Sequence, residues 1–236
     1  MTEPFSDAAR PGDGTEPWAA VFWDLDGTLV DTEPSWQATE YRLAAEYGGS
    51  WSDDEARRLV GSDLLSSAHY LRSHLRIDLS PAEIVTRMID DVLADLRRGI
   101  IWRPGAREQL LDLHEAGVRM ALVTMSYERL LMPILAELPA GLFEAVVAGD
   151  QVDRGKPHPE PYLRAAAALG VDPEQCLAVE DSETGATSAQ AAGCAVLAVP
   201  HMGRVADAPG RTRARDLDDP IARALLQRAL PAPLRA

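Results

Sequence analysis

The chain has 236 residues, 46% hydrophobic and 25% charged, with a formal net charge of −14. That length allows one large domain, or a domain with an insert, around a sizeable core. The acidic balance argues against non-specific binding to nucleic acid or to an anionic membrane.

In chain order, residues 1–17 lack an apolar signal core and are rich in Pro, Gly and acidic residues, which predicts a disordered tail. Residues 19–23 form an apolar run that reads as a short buried strand. Asp24-Leu25-Asp26-Gly27-Thr28 follows directly. Two carboxylates two residues apart at a strand end are costly unless a cation or a difference in protonation separates them. Gly27 supplies freedom for a sharp turn. Residues 33–47 predict a helix, with Pro34 in its first turn and Gly48-Gly49 at its end. From 50 to 100 every pattern is helical. Residues 52–60 carry a Ser52/Glu55 capping box, Leu64–Leu75 has helical spacing, and Ser80-Pro81-Ala82-Glu83 opens a helix through Ile84, Met88, Val92 and Leu96.

From about Trp102 strands and helices alternate. Helices are expected at 104–116, 126–138 (capped by Ser126, interrupted by Pro133), 159–169, 185–192 and from Asp219-Pro220 to about Leu230. Strands are expected at 118–124, 145–148, 176–180 and 195–199. Such alternation implies α/β architecture: a doubly wound parallel sheet with an all-helical insert after the first strand. The expected division is a core of 18–32 and 101–236 and an insert of 33–100. No apolar run approaches the roughly 20 residues of a membrane helix. The two cysteines, Cys176 and Cys194, are not in CxxC spacing and read as buried thiols in a reducing cytosol.

Ligands of open parallel sheets bind beyond the carboxyl ends of the strands. Asp24 and Asp26, Thr124, Glu180-Asp181 and the loop Gly155-Lys156-Pro157 all fall there. Carboxylate oxygens suit magnesium, which commonly works with phosphate. A lysine and a hydroxyl beside it would complete a phosphoryl pocket.

The ordered set Asp24-Leu25-Asp26-Gly27-Thr28, Val123-Thr124, Gly155-Lys156-Pro157 and Glu180-Asp181-Ser182 resembles the haloacid dehalogenase (HAD) superfamily. The likeness is to its phosphatase and phosphomutase branch, with a helical cap after the first strand of a Rossmann-like core, and spans roughly residues 18–200. It implies Asp24 as nucleophile forming an aspartyl-phosphate, Asp26 as general acid and then base, Thr124 on the transferring phosphoryl group and Lys156 as charge compensation. It implies Mg2+ held by Asp24, the backbone carbonyl of Asp26, Glu180 and Asp181. Asp26 speaks against dehalogenation, since dehalogenases of the superfamily lack that acid. Mutases of the branch carry a histidine where Trp36 stands and an arginine in the cap loop, which here reads Gly61-Ser62-Asp63-Leu64. Hydrolysis is therefore favoured over phosphomutase activity. A non-catalytic binding protein on the same fold is the other alternative, and unused buried carboxylates argue against it. Trp36, Ser62 and Asp63 are the candidate substrate contacts of the cap, with hinges near 31–34 and 98–104. The implied protein is a cytoplasmic monomer or weak homodimer acting on a small phosphorylated metabolite, with no nucleic-acid or membrane partner.

Overall fold

In the computed structural model, which describes residues 17–59 and 63–231, the sheet is built around its first strand. That strand, β1 (Ala20–Trp23), is buried at all four positions. Val21 and Trp23 enter the larger of two apolar clusters, Ala20 and Phe22 the smaller. A strand covered on both faces must be apolar at every position, and Ala-Val-Phe-Trp is. The other strands are β2 (Met120–Val123), β3 (Ala145–Val147), β4 (Cys176–Glu180), β5 (Ala195–Ala198) and β6 (Arg211–Arg213). Their order is β3-β2-β1-β4-β5-β6, and every pairing is parallel. Val21 lies opposite both Met120 and Leu177.

Helices α1 (Glu33–Glu46), α2 (Asp53–Leu59), α3 (Leu64–Leu75) and α4 (Pro81–Leu96) form the insert. In α4 the Ser80 hydroxyl accepts from the Glu83 N–H, and the Glu83 carboxylate accepts from the Ser80 N–H at 2.7 Å. That closes the capping box, and Ser52 and Glu55 make the same pair before α2. The remaining helices are α5 (Ala106–Glu115), α6 (Glu128–Leu135), α7 (Glu160–Leu169), α8 (Glu183–Ala191) and α9 (Pro220–Gln227). Leu110 of α5, Leu130 of α6 and Leu226 of α9 share the larger cluster with the insert, whereas Tyr162 of α7 and Ala186 of α8 fill the smaller one. The sheet is therefore covered on both faces, a doubly wound α/β core with an all-helical insert. Among the described residues no helix is long and apolar enough to cross a membrane.

Two linkers join insert and core side by side. Val30 bridges Trp102, the Asp31 N–H donates to the Ile101 carbonyl at 2.8 Å, and the Arg103 N–H donates to the Leu29 carbonyl at 2.8 Å. Further out, Arg129 of α6 pairs with Asp90 of α4 at 2.6 Å.

Several expected elements are corrected. Ser126 does not cap a helix: α6 starts at Glu128 with Tyr127 at its N-cap. Ser126 is instead drawn to the end of β2, where its N–H donates to Thr124 Oγ1 at 3.0 Å and its carbonyl accepts from the Gly149 N–H. Pro133 lies inside α6, which ends at Leu135, short of 138. Helix α5 begins at Ala106 rather than 104, after Gly105 in the left-handed region. Helix α8 begins before Gly185 because the Ser182 hydroxyl accepts from the Gly185 N–H. The edge strand β6 reads Arg-Thr-Arg, with no apolar alternation to announce it. The expected tail lies, except for its last residue, outside the described residues.

Candidate active site

Because all strands run in parallel, their carboxyl ends share one edge. Asp24 follows β1, Thr124 follows β2, Glu180 ends β4 and Asp181 follows it, while Lys156 comes from the loop between β3 and α7. The Asp24 N–H still donates to the Val179 carbonyl at 3.0 Å, which keeps Asp24 in strand register beside β4. The chain then turns on Gly27, at φ +84°, and a Cβ there would lie 2.2 Å from Asp181 Oδ2. Only glycine allows both that backbone conformation and that approach. Buried Leu25 and Leu29 anchor the turn in the core.

Lys156 is the cation of this edge. Its ammonium donates to Asp24 Oδ1 at 2.7 Å, Glu180 Oε1 at 2.6 Å and the Val123 carbonyl at 2.9 Å, and its side chain is 5% exposed. Burial pulls the Lys156 pKa down, but the Asp24 and Glu180 charges outweigh it and hold the ammonium above its ordinary range. The Tyr162 hydroxyl donates to the same Glu180 oxygen at 2.5 Å. Gly185 leaves room for that carboxylate, since a Cβ there would meet Glu180 Oε2 at 2.0 Å.

One lysine does not balance the acids around it. Asp24, Glu180 and Asp181 each offer a carboxylate oxygen within 4.8 Å of the others. Burial, then the charges of Asp24 and Glu180, push Asp181 up to about 9. Burial and Asp24 push Glu180 up to about 7, against the pull of Lys156 and Tyr162. Three crowded oxygen donors, two of them held off full ionisation by burial and then by their neighbours' charges, fit a hard divalent cation.

Asp26 stands in a different environment. Thr32 Oγ1 donates to its Oδ1 at 2.7 Å and Thr124 Oγ1 to its Oδ2 at 3.1 Å. Burial, then the Asp24 charge, raises its pKa, while the hydroxyls of Thr32, Ser126 and Thr124 oppose the rise. Asp24 is instead held by an ammonium and by the Thr28 hydroxyl, at 2.8 Å from Oδ2. Two carboxylates with unlike partners are what separate proton-carrying and nucleophilic roles require.

The structure thus brings together Asp24, Asp26, Thr124, Lys156, Glu180 and Asp181. Thr124 is fully buried and its hydroxyl is committed to Asp26. Trp36 is partly buried and packs against the larger core cluster. Asp63 caps α3, accepting from the Ser66 N–H at 2.9 Å, and Ser62 lies outside the described residues. Sequence reasoning missed Thr28, Thr32, Ser126 and Tyr162. The first two sit in the stretch that carries the aspartates, where hydroxyls beside a turn are a usable signal, while Tyr162 gives none. Met125 also has a place: its sulfur accepts from the Lys156 N–H at 3.3 Å and lies against Gly155, propping the lysine loop.

A family model described as haloacid dehalogenase-like hydrolase matches residues 21–199. The chain belongs to this family. Among relatives of this HAD-family chain, hexitol phosphatase A of Escherichia coli is 36% identical over 185 residues, covering 75% of this chain and 81% of that protein. A phosphorylated carbohydrates phosphatase of Thermotoga maritima is 33% identical over 175 residues, covering 74% and 81%. The solved structure of CbbY from Rhodobacter sphaeroides in complex with phosphate superposes with a TM-score of 0.76 at 28% identity, covering 87% of the HAD-family chain described here and 95% of its own.

Proposed function

We propose that this protein is a magnesium-dependent phosphatase that hydrolyses a small phosphorylated metabolite, a sugar phosphate or similar monoester, through an aspartyl-phosphate. The observation that carries the reading is the unlike support of Asp24 and Asp26 at one strand end. Relatives named hexitol phosphatase and phosphoglycolate phosphatase support a phosphoric monoester hydrolase.

Asp24 attacks phosphorus, and the bond to the leaving oxygen breaks as Asp26 gives that oxygen its proton. Asp26 then takes a proton from water, whose oxygen attacks the same phosphorus and releases Asp24. Lys156 offsets charge where two anions meet, and Thr28 and Lys156 fix the Asp24 carboxylate. Thr124 and Thr32 orient Asp26. Magnesium, held by Asp24, Glu180, Asp181 and the Asp26 carbonyl, would supply further charge compensation. The helical insert acts as a cap that closes over the crevice and sets specificity, with Trp36, Ser62 and Asp63 as its candidate contacts. Trp36 in place of a mutase-type histidine favours transfer to water. A cytoplasmic monomer or weak homodimer completes the proposal.

The test is phosphate release from a broad panel of monoesters with magnesium, including sugar and hexitol phosphates, phosphoglycolate and p-nitrophenyl phosphate. Release that stops with chelator and returns with magnesium is expected. No release from any ester refutes the hydrolase, and isomerised sugar phosphate outpacing free phosphate, with a bisphosphate activator required, replaces it with a mutase.

A further inference from the structure

His201 lies in the loop between β5 and β6 and takes no part in the steps above. That loop is fixed to the core. The Val199 N–H donates to the Glu180 carbonyl and the Ala206 N–H to Glu183 Oε2, both at 2.8 Å. Val205 is buried, and Arg213 donates to its carbonyl. From this mount His201 Nε2 reaches Asp31 Oδ1 at 3.0 Å, with the two side chains 16% and 23% exposed.

Asp31 belongs to the first linker into the insert. The next residue, Thr32, occupies the N-cap position of α1 yet makes no capping bond. Its backbone is helical (φ −91°, ψ −11°) rather than extended, and its hydroxyl donates to Asp26. A threonine at an N-cap ordinarily adopts an extended backbone and accepts from the first turn of its helix. Thr32 therefore has two competing engagements, and only one orients the proton carrier. The Asp31–His201 contact and the Asp31 N–H bond to Ile101 hold the linker in the conformation that serves Asp26.

We propose that His201 is a positioning residue: by holding Asp31 it keeps Thr32 on Asp26 and out of the cap of α1. This role rests on the phosphatase reading. The contact is partly exposed, so it adds little to stability. Its effect falls on placement, where small displacements have large rate consequences.

The experiment compares kcat/KM for two esters, which reports formation of the aspartyl-phosphate. One is the alkyl monoester of the panel that is cleaved fastest. The other is p-nitrophenyl phosphate, whose leaving group departs without a proton. His201→Ala should lower kcat/KM on the alkyl ester about tenfold or more and on the aryl ester less than about twofold. His201→Gln, which can still donate to Asp31, should restore the alkyl activity. Asp31→Ala should match His201→Ala, and the double variant should be no worse than either. Equal loss on both esters, loss on neither, or additive loss overturns the proposal. An unmodified protein inactive on both esters overturns the phosphatase reading and this role with it, whereas an active protein with indifferent variants overturns this role alone.

Discussion

Gly27→Ala separates stability from chemistry at the site. A Cβ at Gly27 would stand 2.2 Å from Asp181 Oδ2 and 2.8 Å from its Cγ, on a backbone at φ +84°. Holding alanine in the left-handed region costs about 1–2 kcal/mol. The overlap falls on the end of a side chain, so Asp181 swings aside and the backbone stays. The expected loss is therefore about 1–2 kcal/mol, a fall in Tm of about 2–8 °C for a chain of this size. The chemical loss is larger, because displacing Asp181 removes one of three clustered carboxylates. The magnesium concentration for half-maximal activity should rise about 10–100-fold, with activity recovering as magnesium is raised. Thermal unfolding and a magnesium titration on one preparation measure both. A folded variant with an unchanged magnesium requirement refutes the claim that this close approach places Asp181. A stability loss far above about 2 kcal/mol shows that the backbone yields instead.

Glu40 is a buried carboxyl of the insert, pushed up to about 7 by burial and the nearby Glu33 charge against the Trp51 indole that donates to it. Raised above its ordinary value, it favours the fold while protonated, and that contribution is lost as pH rises through about 7. Glu40→Gln should accordingly be more stable than the parent at pH about 8, by on the order of 2–3 kcal/mol, and equal to it near pH 4; parallel denaturation curves at both pH values would exclude this. Asp181 and Glu180 are raised in the same sense, so their contribution also falls as pH climbs through about 7 and then about 9. Magnesium binds the ionised forms, and the Tm gain on adding it should grow from pH about 5 to pH about 8. A gain independent of pH would remove these carboxylates from the metal site. Asp24→Asn should abolish turnover yet keep the fold, because Lys156 retains Glu180 and the Val123 carbonyl; residual turnover near the parental rate would reassign the nucleophile.

Most of the sheet was legible because each inner strand is covered on both faces and must be apolar through its length up to the site edge, as in Ala20–Trp23 and the Cys-Leu-Ala-Val run that precedes Glu180. Strand β6 was invisible for the converse reason: an edge strand needs one partner and few apolar side chains, and Arg-Thr-Arg satisfies that. The acids and lysine of the site were legible from their place after strand ends. Their supports were not. Ser126 looked like a cap because serine before a helix usually is one, and only the return of the chain to Thr124 diverts it. Tyr162 is an ordinary apolar-face residue of α7 until β4 brings Glu180 to its hydroxyl. Met125 likewise depends on where the loop after β3 comes back.

The central position of β1 has a consequence for the time course of folding. Ala20 is among the first described residues to leave a ribosome, yet its partners Met120 and Cys176 are its neighbours only in space. Strand β1 has no first partner until Met120–Val123 exists and no second until Cys176–Glu180 does, and such distant pairing is slow. Asp24 and Asp26 thus wait for Lys156, and longer still for Glu180 and Asp181. A nascent or truncated chain that ends before β4 has Asp24 and Lys156 but neither Glu180 nor Asp181, so the carboxylate cluster is completed late, together with closure of the sheet.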